Sequence, residues 1–160
     1  MPVTLMKGDL FDVAEQRHDL HALAFGTDIG GALSAGIASA FRARFPAFAV
    51  AYQAHCEAGM QMGDVFEWRD GNRVVYALGI QRPGSKPTMS AFERAMNTML
   101  AQAAAAGVQG VHLPRIGGGK DGLDQLRVKR VINEAAAKTT VNLIVFEQFV
   151  RAAARPPEPS

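Results

Sequence analysis

Sulfur chemistry is nearly absent from this sequence, which has one cysteine, Cys56, in 160 residues. A single thiol forms no internal disulfide, so the chain demands no oxidising compartment, and no CxxC pair is present to hold a metal. The four histidines (His18, His21, His55 and His112) show no HxxxH spacing, which removes the common zinc arrangements. No apolar run approaches the roughly 18–20 residues that cross a bilayer, and the first residues lack the charged start and long apolar stretch of a secretion signal. Neither sign of charge dominates: 17 basic against 15 acidic side chains leave +2. That balance fits neither a strongly basic nucleic-acid binder nor an acidic disordered chain. One aromatic pair, Phe66 and Trp68, makes no platform for stacked bases. These absences predict a soluble, cytoplasmic domain without membrane contact, metal or redox cofactor, and nothing requires more than a monomer. The Ala- and Arg-rich composition suggests a bacterial source.

What is present is apolar residue, 48% of the chain, and glycine, 16 residues. That suffices for one core without staples. Residues 1–150 read as one domain. Residues 151–160 carry Pro156, Pro157 and Pro159 and read as a disordered tail. Short apolar runs predict strands at Val3–Lys7, Ala22–Gly26, Val65–Trp68, Val74–Ile80, Gly110–Leu113 and Val141–Phe146. Asp70-Gly71-Asn72 reads as a hairpin turn, which makes its two strands antiparallel. Helical spacing joins Ile37, Phe41 and Phe45, and Pro46 then starts a second helix through Phe48 and Tyr52. A third carries Phe92, Met96, Met99 and Leu100, capped by Ser90 or Thr88. The last carries Val128, Val131, Ile132 and Ala135. Strands interleaved with helices, plus one hairpin, predict an α/β layer fold with a mixed, roughly six-stranded sheet. Such sheets bind ligands beyond the carboxyl ends of their strands.

The most informative stretch is Leu113-Pro114-Arg115-Ile116-Gly117-Gly118-Gly119-Lys120-Asp121-Gly122-Leu123, between a buried strand and a helix. Three successive glycines let backbone N–H groups approach an anion closely, and the helix beyond adds partial positive charge. We read a phosphate-binding loop. Gly-Lys-Asp is not the Gly-Lys-Ser/Thr of a Walker loop. A carboxylate at Asp121 beside a diphosphate is repelled unless it turns to a ribose hydroxyl or a water; alternatively Asp121 or Asp124 caps the following helix. A second glycine-rich segment, Gly26 to Gly36, also leads into a helix, with Ser34 as its expected cap. At the end of the first strand, Asp9 has the chemistry to accept from an exocyclic amine such as adenine N6, helped by the backbone of Leu10, or it bonds its own turn. His112 reads as a core histidine and Cys56 as a buried thiol.

Lys7-Gly8-Asp9-Leu10-Phe11, Ser34-Ala35-Gly36-Ile37-Ala38, Lys86-Pro87-Thr88 and Pro114 to Leu123, in that order, resemble the macrodomain family. Within it they resemble the terminal ADP-ribose protein glycohydrolase branch, which includes the antitoxin that reverses DNA ADP-ribosylation. The resemblance covers roughly residues 3–147. It implies a three-layer α/β/α fold with ADP-ribose across the crest of the sheet. It places Asp9 and Leu10 at the adenine, and Gly26, Thr27 and the loop to Ser34 at the distal ribose and diphosphate. Arg115, Ile116, Gly117, Gly118, Gly119 and Lys120 form the second phosphate loop. Phe146 matches an aromatic position on the adenine side, with Gln148 just beyond, and Asp121 matches the branch's catalytic aspartate.

The sequence departs from that pattern at one chemically important place. Where members with a covalent mechanism carry a lysine nucleophile, this chain has Ile80 or Gln81. Gly26-Thr27-Asp28 likewise lacks the asparagine pair of the better-known hydrolytic macrodomains. The expectation is therefore a hydrolase for mono-ADP-ribose on glutamate or aspartate side chains of proteins, working without a lysine nucleophile. Asp121 orients or deprotonates a water, and Gln81 holds the leaving carboxylate or the water. The alternatives are a non-catalytic ADP-ribose reader and a hydrolase of ADP-ribosylated DNA.

Overall fold

The computed structural model describes residues 3–11, 20–34, 36–117 and 122–149, and for 147–149 the backbone only. The proposed tail, 151–160, lies outside them. The strands are β1 (Val3–Gly8), β2 (His21–Asp28), β3 (Val65–Asp70), β4 (Arg73–Gln81), β5 (Gly110–Pro114) and β6 (Asn142–Phe149). Among the described residues the helices are α1 (Gly36–Arg44), α2 (Pro46–Glu57), α3 (Met89–Ala105) and α4 (Gln125–Ala136). None is long and apolar enough to cross a membrane.

All six strands form one sheet in the order β1-β6-β5-β2-β4-β3. Every neighbouring pair is parallel except β3 and β4, which the two residues Gly71 and Asn72 connect as an antiparallel hairpin. Gly71 sits at φ +61°, a conformation that costs glycine nothing, as the tight turn requires.

Alternation along each strand sorts the core into two layers. Phe25, Val75, Ala77, Ile144 and Phe146 face α1 and α2, where they meet Phe41, Phe48 and Tyr52. Ala24, Val74, Tyr76, Leu113 and Val145 face α3 and α4, where they meet Phe92, Met96, Met99, Val128 and Ile132. The first layer is aromatic: Phe25 stacks on Phe41 at 4.1 Å between centroids, and Phe48 on Tyr52 at 5.9 Å. Both faces of the sheet are thus covered, as a largely parallel sheet requires.

The helices end where local chemistry ends them. Phe45 continues the apolar stripe of α1 but lies outside it: α1 stops at Arg44, and Phe45 adopts φ −129°, ψ 75° at the start of α2. Pro46 is the cause, because its ring disfavours helical backbone in the residue before it. Thr88, rather than Ser90, caps α3, accepting from the Ala91 N–H at 3.3 Å. The strands run slightly past their apolar cores because pairing continues; β2 reaches Asp28, opposite Gln81, and β6 pairs Gln148 with Lys7.

Candidate functional site

The chain leaving β2 passes over one face of the sheet through α1 and α2, whereas the chain leaving β5 crosses the other face through α4 to β6. β2 and β5 are neighbours, so their departing loops separate at the carboxyl edge of the sheet. This is a topological switch point, the place where open α/β sheets take ligands. The two loops are the glycine-rich segments of the sequence.

Gly26 closes the floor between them. A Cβ there would lie 2.7 Å from Ile80 Cδ1 and 3.2 Å from Ile116 Cγ2, so the ends of β2 and β4 and the loop after β5 meet at a point with no room for a methyl group. Ile80 and Ile116 are both buried, as is Thr27. The sequence marks Gly26 as a ligand-bordering residue; the structure gives it a packing duty as well.

The loop after β2 is held from three sides. Asp28 Oδ1 accepts from the Gly30 N–H at 2.8 Å, and the buried Tyr52 hydroxyl donates to the Asp28 carbonyl at 2.7 Å. The Ile29 N–H donates to the Gln81 carbonyl at 3.0 Å. Leu33 then drives its side chain into the aromatic layer, 2% exposed, at φ +51°, a conformation uncommon outside glycine. Ser34 is exposed beside it, and the residue that follows lies outside the description. Burial pushes the Tyr52 phenol far above its ordinary value, so it stays a neutral donor.

At the end of β4 the carbonyl of Ile80 accepts from the Thr88 N–H at 2.9 Å, which ties the Lys86-Pro87-Thr88 segment to the sheet edge. Gln81 Nε2 donates to the Ser85 carbonyl at 2.9 Å. One amide hydrogen is spent on that turn; the second and the amide oxygen remain for other partners.

The loop after β5 is built around a residue the sequence does not advertise. Gln125 Nε2 donates to the carbonyls of Ile116 (3.1 Å), Gly117 (3.2 Å) and Leu123 (3.1 Å). Its Oε1 accepts from Arg115 Nε at 3.1 Å. Gly117 turns the chain at φ +65°, and the Leu123 N–H closes the loop on its carbonyl at 2.8 Å. A Cβ on Gly117 would strike Leu123 Cγ at 2.8 Å. The Arg115 N–H donates to the Phe146 carbonyl at 3.1 Å, fastening the loop to β6. Asp124 caps α4, accepting from Leu126 N at 3.0 Å. Gly118, Gly119, Lys120 and Asp121 lie outside the described residues, as does the side chain of Gln148. A cavity of about 500 Å³ lies against this loop on the α4 side, between β1 and α4, with Leu5, Ile116, Leu126 and Ile132 in its wall.

The remaining predicted residues lie near β1 and β6. Asp9 Oδ1 accepts from the Phe11 N–H at 3.0 Å, a turn-forming bond. Leu10 is fully buried, and Phe11 packs edge-on against Phe41 at 4.9 Å. Phe146 is also fully buried, 6.1 Å between centroids from His112, and its ring is part of the aromatic layer. His112 is the core histidine expected, with Nε2 2.8 Å from His21 Nδ1. Cys56 is partly buried and contacts Met60 Sδ at 3.8 Å; burial pushes its thiol up, away from nucleophilic character. Among the described residues no group of three or more His, Cys, Asp or Glu side chains is placed to hold a metal.

No family model matches the chain. ADP-ribose glycohydrolase OARD1 of Homo sapiens and that of Bos taurus are each 28% identical to it over 145 residues, 90% of this chain and 90% of theirs. The macrodomain of Thermus aquaticus DarG superposes with a TM-score of 0.80 at 24% identity, over 91% of this chain and 97% of that one. Thermosipho africanus DarTG, solved in complex with ADP-ribose, gives 0.77 at 16% identity, over 99% of this chain and 44% of that one. The six-stranded mixed sheet, its helical layers and these likenesses together give this chain the macrodomain fold, similar in sequence to an ADP-ribose glycohydrolase along nine-tenths of its length.

Proposed function

We propose that this chain is an ADP-ribosyl hydrolase, one that binds ADP-ribose in the crevice between the loops after β2 and β5 and releases mono-ADP-ribose from glutamate or aspartate side chains of proteins. The observation that carries the reading is the construction of the loop from Arg115 to Leu123. Its carbonyls at Ile116, Gly117 and Leu123 are drawn to Gln125, while the cap of α4 is supplied by Asp124. Asp124 fills the cap, one of the two roles open to Asp121, and the resemblance to the branch's catalytic aspartate supports the other.

The ester between a carboxylate and the ribose anomeric carbon is an acylal-type bond with a good leaving group. Water adds to the anomeric carbon as the carbon–oxygen bond to the side-chain carboxylate breaks, through a transition state with positive charge on the ribose ring. Asp121 takes the proton of that water, a contribution of about 10²–10⁴-fold. Buried Ile80 and neutral Gln81 occupy the end of β4, where a lysine nucleophile would stand, which supports direct attack of water over a lysine adduct. The second amide hydrogen of Gln81 is available to the departing carboxylate.

Titration calorimetry with ADP-ribose, ADP and AMP tests the binding half: ADP-ribose is expected to bind much the tightest, and equal affinities refute it. Incubation with a glutamate-modified protein tests the chemistry. Tight binding without release makes the chain a reader.

A further inference from the structure

Gln125 determines which way the loop after β5 presents its backbone. Its amide group gathers the carbonyls of Ile116, Gly117 and Leu123 within 3.2 Å, and its oxygen holds Arg115 Nε at 3.1 Å. The side chain leaves the first residue of α4 and is only partly exposed. Nε2 has two hydrogens for three acceptors, so at least one bond is shared.

The peptide groups at Ile116–Gly117 and Leu123–Asp124 are trans, and a peptide group is planar. In a trans peptide the N–H of each residue points opposite to the carbonyl before it. With the Ile116 carbonyl turned toward Gln125, the Gly117 N–H is turned to the other side of the loop; with the Leu123 carbonyl turned in, so is the Asp124 N–H. An anion meets such a loop favourably only if the donors face it and the carbonyls do not. A free carbonyl oxygen flipped toward a diphosphate would repel it. The Leu123 N–H also holds the Gly117 carbonyl, at 2.8 Å, so Gln125 acts most on the Ile116 and Leu123 carbonyls; glycine at φ +65° adds no side chain to oppose rotation of the peptide before it.

We infer that Gln125 is a positioning residue of the ADP-ribose site: it acts without touching the ligand, and by collecting three carbonyls on the α4 side of the loop it leaves the N–H groups of Gly117 and Asp124 on the opposite side, toward the diphosphate. This deepens the hydrolase reading and rests on it. The donors of Gln125 carry the effect, and the contact with Arg115 is secondary.

The test compares wild type with Gln125→Met, which keeps the length and loses every bond, and Gln125→Lys, which restores donors without the acceptor. Circular dichroism and melting first establish that each is folded at the assay temperature. For Q125M the dissociation constant for ADP-ribose is expected to rise about ten- to a hundredfold, and hydrogen exchange at the Leu123 amide to accelerate in the free protein. Q125K is expected to recover most of the affinity. Should Q125M not fold, Q125K is set against Gln125→Glu, which keeps the hold on Arg115 and loses the donors; the glutamate variant is then the weak one. Wild-type affinity in folded Q125M, or Q125K as weak as Q125M or Q125E, overturns the inference alone. Failure of the wild type to bind ADP-ribose overturns the hydrolase reading and this inference with it, and faster exchange in Q125M would then report only a loop clamp.

Discussion

The point where β2, β4 and the loop after β5 converge can be probed by adding one methyl group. In Gly26→Ala the new Cβ would stand 2.7 Å from Ile80 Cδ1 and 3.2 Å from Ile116 Cγ2. Ile80 Cδ1 is the tip of a side chain and can rotate away, but Ile80 is 2% exposed and has packed neighbours on the α3 side. Forcing it off its rotamer costs about 0.5–1.5 kcal/mol, and relief of the Ile116 contact adds to that, so about 1–2 kcal/mol is expected. For a chain of this length that lowers the melting temperature by roughly 2–8 °C. Ile80→Val removes the offending atom and by itself costs about 0.5–1.5 kcal/mol. In the double variant the alanine methyl occupies the space the Cδ1 left, so the two changes should compensate by about 1 kcal/mol. Urea unfolding of the four proteins measures this cycle. ADP-ribose affinity should fall in G26A, because Ile116 moves with the loop, and recover in G26A/I80V. A neutral G26A, or strictly additive losses, would refute the claim that this contact fixes the loop.

Other consequences can be checked with the same methods. Asp124→Ala removes the cap of α4 and should cost about 0.5–2 kcal/mol in urea unfolding while leaving turnover largely intact, in contrast to Asp121→Ala. Leu33→Ala should cost about 2–5 kcal/mol and weaken ADP-ribose binding, since the loop loses its anchor in the aromatic layer. Tyr52→Phe leaves the Asp28 carbonyl without its donor and should cost about 1–3 kcal/mol. Tyr52 also gives the fold an alkaline limit. Its folded pKa is raised by burial, so its contribution is fully present below the ordinary value of 10.0 and is lost as rising pH deprotonates the unfolded chain. Stability above that pH should therefore fall less steeply in Y52F.

The sheet and helices were legible because periodicity reports burial, and burial is what the two core layers require. Ile144 and Phe146 show the same logic at the end of β6. Strand alternation puts both on the aromatic face, so Phe146 is buried although its position matches an aromatic residue lining a ligand. Thr88 and Phe45 were decided by single backbone events, a cap bond and a proline, which local pattern leaves open. Gln125 was invisible for a different reason. A glutamine beginning a helix is ordinary, and its role exists only once the loop has folded back so that residues 116, 117 and 123 surround it. The packing role of Gly26 likewise depends on Ile80 and Ile116 arriving from distant parts of the chain.

The central claim is that water, activated at the loop after β5, cleaves the bond between ADP-ribose and a carboxylate without a lysine adduct. Its most direct test is release of free ADP-ribose from a glutamate-modified protein by the wild type and by Asp121→Ala, with mass spectrometry of the protein during turnover. Release by the wild type, loss of release with retained binding in D121A, and no adduct on the chain are the predicted results. An adduct on a lysine such as Lys86 or Lys120, or equal release by both proteins, would contradict the account.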